Sequence, residues 1–169
     1  MAREPLPPQW LNADEQQAWR HYLHASRLLE TVMDRDLQAH GLQLTEYEII
    51  MALSGAPERR LRMSAIAEQV VQSRSRLSHT AGRLEKRGLV RREACVGDRR
   101  GVELVLTDAG SAAVIEMAPT HVHSVRANLV DLHSREEFLA LGRAMGAVGR
   151  GIESKDGFDG VLTSEKQPT

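Results

Sequence analysis

The chain has 169 residues, of which 41% are hydrophobic, 27% are charged and only 4% are aromatic. These proportions are typical of a soluble globular protein with an aliphatic core. The chain has one cysteine, Cys95, which excludes an internal disulfide framework. The sequence has neither the apolar core of a signal peptide nor the about 20 apolar residues of a membrane span, so we expect a cytoplasmic protein without membrane contact.

The net charge of -1 conceals an uneven distribution of charge along the chain. Between Arg74 and Arg100, nine Lys or Arg residues face three Asp or Glu residues, a local balance of +6 that leaves -7 for the rest. Arginine makes up 19 of the 22 basic residues, so the choice of arginine over lysine is uninformative and only the clustering counts. A basic segment on an acidic body is typical of a module that binds a polyanion.

The first predicted elements are an extended arm over 1–11 and a long helix that begins after Asn12. Asn12 and Glu15 have the spacing of a capping box, in which each side chain satisfies an unpaired backbone N–H group. Apolar residues then recur at spacings of three and four up to Gly41. A helix of about 27 residues spans roughly 40 Å, more than a small domain needs, so part of it should pack on another chain.

A helix-turn-helix is predicted next. Thr45 and Glu48 form a second possible capping box, and the helix that they begin ends before the linker "GAPERRLR". A short helix is expected to start near Ser64, and another to run from its N-cap Ser73 to a stop at Gly88. Two short helices joined by a turn of three or four residues are typical of this motif.

The segment "LVRREACVGDRRGVELVLT" predicts a β-hairpin after the helix-turn-helix. One strand starts at Leu89 and Val90, the other covers 102–106, and Gly97 and Gly101 lie in the connection. The predicted fold is mainly α with a small β-hairpin wing, a winged helix-turn-helix attached to a helical dimerisation region.

Two more helices complete the predicted order. Thr107 should cap a helix that is kinked or broken near Ala118, because Pro119 lies inside it. Ser134 and Glu137 form a third capping box at the start of the last helix, and a loose tail is expected over 152–169.

The helix after Ser73 has two distinct faces. On a helical wheel Leu77, Ala81 and Leu84 share one side, and small or polar residues, Gly82 among them, lie opposite. Such a helix fits the major groove of B-DNA, although a solvated helix face is the alternative. The candidate DNA contacts on it are Ser73, Arg74, Ser75, Arg76, Ser78, His79, Arg83 and Lys86.

The charged tip of the hairpin is a second candidate DNA contact. Arg99 and Arg100 could enter the minor groove, where the negative potential is high. Asp98 would fix the shape of the hairpin by accepting hydrogen bonds. A solvated turn without a partner is the alternative.

The run "LEKRGLVRREACVGDRRGVELVLTDAG" resembles the wing signature of the MarR family of bacterial transcriptional regulators, and residues from about 12 to 150 follow that family's order of elements. The resemblance implies a winged helix-turn-helix over 44–107 and a dimerisation region over 12–43 and 108–151. It further implies a homodimer that binds a pseudo-palindromic double-stranded DNA operator, usually as a repressor. Asp98 and Arg100 match the family's wing pair, with Arg100 in the minor groove.

The resemblance also implies control by a small aromatic or phenolic molecule, which enters a crevice between the dimerisation helices and the DNA-binding lobe. Trp19, His21, Tyr22 and His24 lie on the helix expected to form one wall, and they could hold a planar acid. The alternative for Trp19 and Tyr22 is ordinary packing.

The sequence also bears on three other functions. Cys95, near several arginines, could make the protein redox-responsive, or it could simply fill space in a strand. The histidines are scattered along the sequence, and His121 and His123 diverge on a helix, so we expect no metal site. The sequence has no motif typical of an enzyme, so we expect no cofactor and no catalysis. The third alternative is a winged helix that binds only other proteins and not DNA.

Overall fold

The computed structural model describes residues 9–95 and 98–156, with side chains at 9–95 and 101–154. Most of the predicted arm, Gly97 and residues 157–169 of the predicted tail lie outside the described residues. In chain order the elements are α1 (Ala13–Gln38), α2 (Leu44–Gly55), β1 (Arg60–Arg62), α3 (Met63–Gln69), α4 (Arg74–Lys86), β2 (Val90–Cys95), β3 (Asp98–Leu106), α5 (Asp108–Asn128) and α6 (Arg135–Asp156). Short 3-10 helices cover Pro57–Arg59 and Val130–Leu132.

Four of the five longer helices begin where the capping residues predict. The Asn12 side chain accepts from the N–H of Glu15 at 2.9 Å, and Glu15 returns the bond at 2.8 Å. Ser73 and Thr107 cap α4 and α5 through the N–H groups three residues further on. Ser134 and Glu137 make the reciprocal contacts of a capping box at α6. These predictions are confirmed.

The start of α2 differs from the prediction. Its N-cap is Gln43, whose N–H donates to Oε2 of Glu46 at 3.1 Å, so the proposed box of Thr45 and Glu48 is wrong. The N–H of Leu44 donates to Oδ1 of Asp34 at 2.8 Å. A carboxylate from α1 thus satisfies a helix end, and Thr45 already lies inside the first turn.

The hairpin is confirmed, and it belongs to a three-stranded antiparallel sheet in the order β1-β3-β2. β1 lies in the segment that was interpreted as a linker, and Leu61 pairs with Leu104 of β3. Val90 of β2 pairs with Leu106, and a bulge interrupts the register between Ala94 and Cys95. The sheet therefore fixes the wing against α2 and α3 as well as against α4.

The core is aliphatic, as the composition predicts. α2 is the central helix, since it packs on α1, α4, α5 and the sheet. Gly110 of α5 lies so close to β2 that a Cβ atom there would stand 2.1 Å from the carbonyl oxygen of Leu89. The fully buried side chains include Leu37, Ile49, Ile50, Leu53, Ile66, Leu77, Leu84 and Leu104.

The last two helices correct two predictions. α5 continues through Pro119, so the break predicted near Ala118 is wrong, and a kink there stays a prediction. Its side chains Val114 and Met117 are buried and hold the helix on the core. α6 continues to Asp156, five residues beyond the boundary predicted at 151. Among the described residues, no helix is both long and apolar enough to cross a membrane.

Candidate nucleic-acid interface

The apolar strip of α4 is buried as predicted. Leu77 is 1% exposed, and Ala81 and Leu84 have no exposed surface. Thr80 joins the strip, because its hydroxyl donates to the carbonyl oxygen of Arg76 at 3.1 Å and so has no need of water. The strip fixes which face of the helix points outward.

The outward face carries most of the predicted contacts. Within the described part of the chain, the side chains of Arg74 and Lys86 have no hydrogen bond and no ion pair. Gly82 is partly covered, because its nearest neighbour is the guanidinium of Arg92. The exposed members of the predicted set are Ser73, Arg74, Ser75, Arg76, Ser78, His79, Arg83 and Lys86. Cations without internal partners are the ones that can neutralise phosphates without first breaking an ion pair.

Arg83 differs from the other members of this set, because it is engaged inside the molecule. Its Nε donates to Oε1 of Glu46 at 2.9 Å, and its Nη2 donates to Oε1 of Gln43 at 2.7 Å. Arg87 donates to the other carboxylate oxygen of Glu46 at 3.4 Å. Glu46 is buried, so these two arginines compensate its charge and join α4 to α2. A DNA contact by Arg83 stays a prediction.

Arg92, which the sequence did not single out, joins the wing to α4. Its Nη1 donates to Oε2 of Glu85 at 2.9 Å, and its backbone N–H donates to Oε1 of the same residue at 3.1 Å. Its Nη2 donates to the carbonyl oxygen of Ser78 at 2.9 Å. One side chain of β2 therefore contacts α4 at two points, two turns apart, which fixes the angle between strand and helix.

Ion pairs within the chain partly neutralise the excess positive charge of residues 74–100. Arg91 donates to Glu93 at 2.6 Å, and this contact lowers the pKa of the Glu93 carboxyl below its ordinary value. Four arginines of this segment are thus paired with carboxylates of the same chain: Arg83, Arg87, Arg91 and Arg92. The charge that stays available within the described side chains of this segment lies on α4.

The predicted wing contacts fall at the start of β3. The backbone of Asp98, Arg99 and Arg100 belongs to that strand, at the end of the hairpin remote from the core. Their side chains lie outside the described residues, so their roles stay predictions.

A crevice of about 1140 Å³ opens behind α4, between α1, α2 and the turn that joins α3 to α4. α1 forms one wall, as expected, but through Glu30 and Met33, which lie nearer its C-terminal end than the predicted residues. Trp19 and Tyr22 stack on each other with ring centroids 5.8 Å apart and are exposed, as are His21 and His24. None of these four lines the crevice in this chain, and a ligand contact by them stays a prediction.

Comparison with known proteins identifies the family. The family model described as "MarR family" matches residues 40–101, from the turn before α2 into β3. The HTH-type transcriptional regulator PecS of Dickeya dadantii (strain 3937) is 31% identical over 125 residues, which cover 73% of this chain and 74% of PecS. The chain belongs to the MarR family of transcriptional regulators.

Two solved structures from Streptomyces coelicolor agree with that assignment over the whole fold. AbsC, a MarR family transcriptional regulator, is 41% identical, with a TM-score of 0.82 and coverage of 87% of this chain and 99% of AbsC. Sco3205, another member whose structure was solved in complex with DNA, is 42% identical, with a TM-score of 0.83 and coverage of 87% and 92%.

In this MarR protein two titratable groups that line the crevice have pKa values shifted by burial. The rings of His121 and Tyr47 lie 4.8 Å apart, and burial lowers the pKa of His121 below its ordinary value of 6.5. Burial, together with the nearby charge of Glu30, raises the pKa of Glu48. Arg76 of α4 opposes that rise, so the helix with the exposed polar face also contributes to the crevice.

Cys95 lies at the end of β2 and is 6% exposed. A redox-sensing thiol needs access to its oxidant, and a small side chain in a strand needs only space. Its burial favours the second interpretation for this member of the MarR family.

Proposed function

We propose that this protein is a homodimeric repressor that acts in the cytoplasm on a pseudo-palindromic operator, with α4 in the major groove and the β2–β3 hairpin against the minor groove. One observation carries the proposal: α4 buries a strip of Leu77, Ala81 and Leu84, and on the opposite side it presents cations that have no ion pair among the described residues. Sco3205, similar over most of this chain, was solved in complex with DNA, which supports the same use of the fold.

Exposed apolar side chains on the helices outside the winged domain support the dimer. α6 has no extensive contact with any other element of the described chain, although its side chains include Leu139, Met145, Val148 and Ile152, all exposed. α1 and α5 add Trp19, Leu28, Ile115 and Val122. A second copy would cover these surfaces. A two-fold axis would then place the two copies of α4 about 34 Å apart.

The decisive experiment is selection of genomic DNA fragments with the purified protein, followed by mobility-shift assays at two salt concentrations. A regulator of this type gives a shift that weakens steeply with salt, because binding releases counterions from the phosphates. A winged helix that binds only proteins gives no shift.

Arg100→Ala tests the wing on the selected fragment. We expect a loss of at least roughly 1 kcal/mol of binding free energy with the fold intact by circular dichroism. An unchanged affinity would reject the assignment of Arg100 to the minor groove.

We propose in addition that a small molecule in the crevice releases the operator. Arg76 supports this, since it belongs both to the outward-facing helix and to the lining of the crevice. A ligand that displaces this side chain changes α4 directly. The test is whether a compound that binds the free protein also weakens the mobility shift, because a ligand coupled to DNA release must bind the two states with different affinity.

A further inference from the structure

The charged groups of the crevice have an unusual balance for a site expected to hold an acid. Glu30 of α1 and Glu48 of α2 contribute two carboxylates, and Arg76 is the only basic side chain among the described residues that line it. His121 adds no positive charge near neutral pH, because burial lowers its pKa. Carboxylates therefore outnumber cations in the lining.

Glu48 is the more buried member of this pair. It is half-buried, and within the described residues its carboxylate has no hydrogen-bond partner. Burial and the charge of Glu30 raise its pKa, and only the attraction of Arg76 lowers it. A carboxylate in this condition is stabilised by any cation or hydrogen-bond donor that reaches it from the crevice.

Two side chains of the lining, Gln72 and His121, also have buried polar atoms without a hydrogen-bond partner among the described residues. Both the Nε2 and the Oε1 of Gln72, and the Nδ1 of His121, are buried without a hydrogen bond to any described residue. Buried side-chain polar atoms in native proteins are in the large majority hydrogen-bonded. Met33 and Met51 supply adaptable apolar surface beside them. The lining thus offers a place for an apolar body with a polar edge.

We propose that the crevice binds an organic cation, a protonated amine carried on an aromatic or similarly apolar body, with its ammonium against Glu48 and Glu30. The amide of Gln72 and the ring of His121 would bond the polar edge of that body. The inference rests on the proposed ligand-responsive function and replaces the planar acid expected from the sequence. A carboxylate ligand would add a third negative charge to a partly buried site, which raises its electrostatic energy.

Three indoles of almost identical shape test the sign of the preferred charge. Tryptamine carries an ammonium, indole-3-propionate a carboxylate and tryptophol a neutral hydroxyl on the same two-carbon chain. Titration calorimetry of the full-length protein without DNA should give tryptamine a Kd at least about tenfold lower than either of the others. In Glu48→Gln this preference should fall to about threefold or less.

Glu116→Gln is the matched control, because Glu116 is an exposed carboxylate of α5 that does not line the crevice. It should keep the full preference for tryptamine, and circular dichroism should show that both variants are folded. Saturable binding of indole-3-propionate or tryptophol as tight as that of tryptamine overturns the proposal. So does an absence of saturable tryptamine binding, or a preference that survives in Glu48→Gln.

The same protein preparations separate this inference from the proposed function. Salt-sensitive DNA binding without a preference for tryptamine overturns the inference and leaves the regulator intact. A preference for tryptamine that depends on Glu48, in a protein that binds no DNA, supports the crevice and rejects the regulator.

Discussion

The Nε of Arg83 lies 2.9 Å from Oε1 of Glu46, and this contact joins an exposed helix to a buried one across 37 residues of sequence. The other carboxylate oxygen of Glu46 accepts from Arg87 and from the backbone of Gln43. A buried carboxylate with this many donors is compensated, whereas the same carboxylate without them would be costly. The orientation of α4 therefore depends on a residue that lies well behind the exposed face of that helix.

Glu46→Gln should lower the free energy of unfolding by about 1–3 kcal/mol, because the amide keeps the shape but loses two charge-assisted hydrogen bonds. The guanidinium groups are about half exposed, so the loss should not reach the cost of a fully buried pair. Urea unfolding followed by circular dichroism measures it. Glu68→Gln, an exposed position of α3, should change stability by no more than about 0.5 kcal/mol. Equal effects at the two positions would show that the Glu46 contacts add nothing.

Arg92→Lys separates a positioning role from a phosphate contact. Lysine keeps the charge but cannot donate to Glu85 and to the carbonyl of Ser78 together, so the wing should lose its fixed angle to α4. We expect stability within about 1 kcal/mol of the parent and a loss of about 0.5–1.5 kcal/mol in DNA binding. Fluorescence anisotropy at several salt concentrations should give an unchanged slope of log affinity against log salt. An unchanged affinity would contradict the positioning role, because lysine can replace an arginine that only neutralises a phosphate.

The sequence predicts those parts of the fold whose cause is local. Asn12, Ser73 and Thr107 cap helices through groups three residues away, and the helical period identifies the buried strip of α4. The start of α2 could not be predicted this way, because its first N–H is satisfied by Asp34 of another helix. β1 has only three residues, too few for an alternating pattern to identify a strand, and it exists because β3 pairs with it.

The same distinction explains which site residues the sequence identified. The exposed face of α4 follows from periodicity, but the internal pairing of Arg83 depends on Glu46 and was not visible. The crevice residues come from six separate elements, α1, α2, β1, α3, α4 and α5, so no pattern of spacing indicates them. Trp19 and Tyr22 were selected for their chemistry alone, and the fold places them elsewhere on α1.

Gly110→Ala should destabilise the fold severely. A Cβ at this position would lie 2.1 Å from the carbonyl oxygen of Leu89 and 2.6 Å from a methyl carbon of Leu106, so α5 must move away from the sheet. We expect a loss of about 3 kcal/mol or more, at the upper end of overpacking effects. Gly55→Ala meets no atom within 4 Å and should change stability little or raise it. Thermal unfolding of both variants checks the contrast, and similar melting temperatures would contradict this packing.

Glu48→Gln should stabilise the folded protein at neutral pH. The pKa of Glu48 is raised in the folded state above its ordinary value of 4.5, so the charged form favours the unfolded chain at any pH above both values. This loss of stability disappears as the pH falls below both the pKa of Glu48 in the folded state and its ordinary pKa, because the carboxyl is then protonated in both the folded and the unfolded state. The stability difference between Glu48→Gln and the parent, measured in urea, should therefore shrink between pH 7 and about pH 4. A Glu48→Gln variant that is less stable than the parent at pH 7 would contradict the raised pKa of Glu48.

Arg74→Ala and Arg91→Ala compare a cation without an internal partner with one that has a carboxylate. Both side chains are exposed, but Arg91 donates to Glu93 at 2.6 Å, and Arg74 has no ion pair within the described residues. If α4 carries the charge available to phosphates, Arg74→Ala should reduce the salt slope of DNA binding by about one and weaken binding to all sequences alike. Arg91→Ala should change the slope by less than about half of that, because Glu93 already compensates its charge. Anisotropy titrations on the selected fragment and on an unrelated duplex measure both quantities. A larger effect at Arg91 would mean that DNA breaks the internal pairs of β2, and the interface would then lie on the sheet rather than on α4.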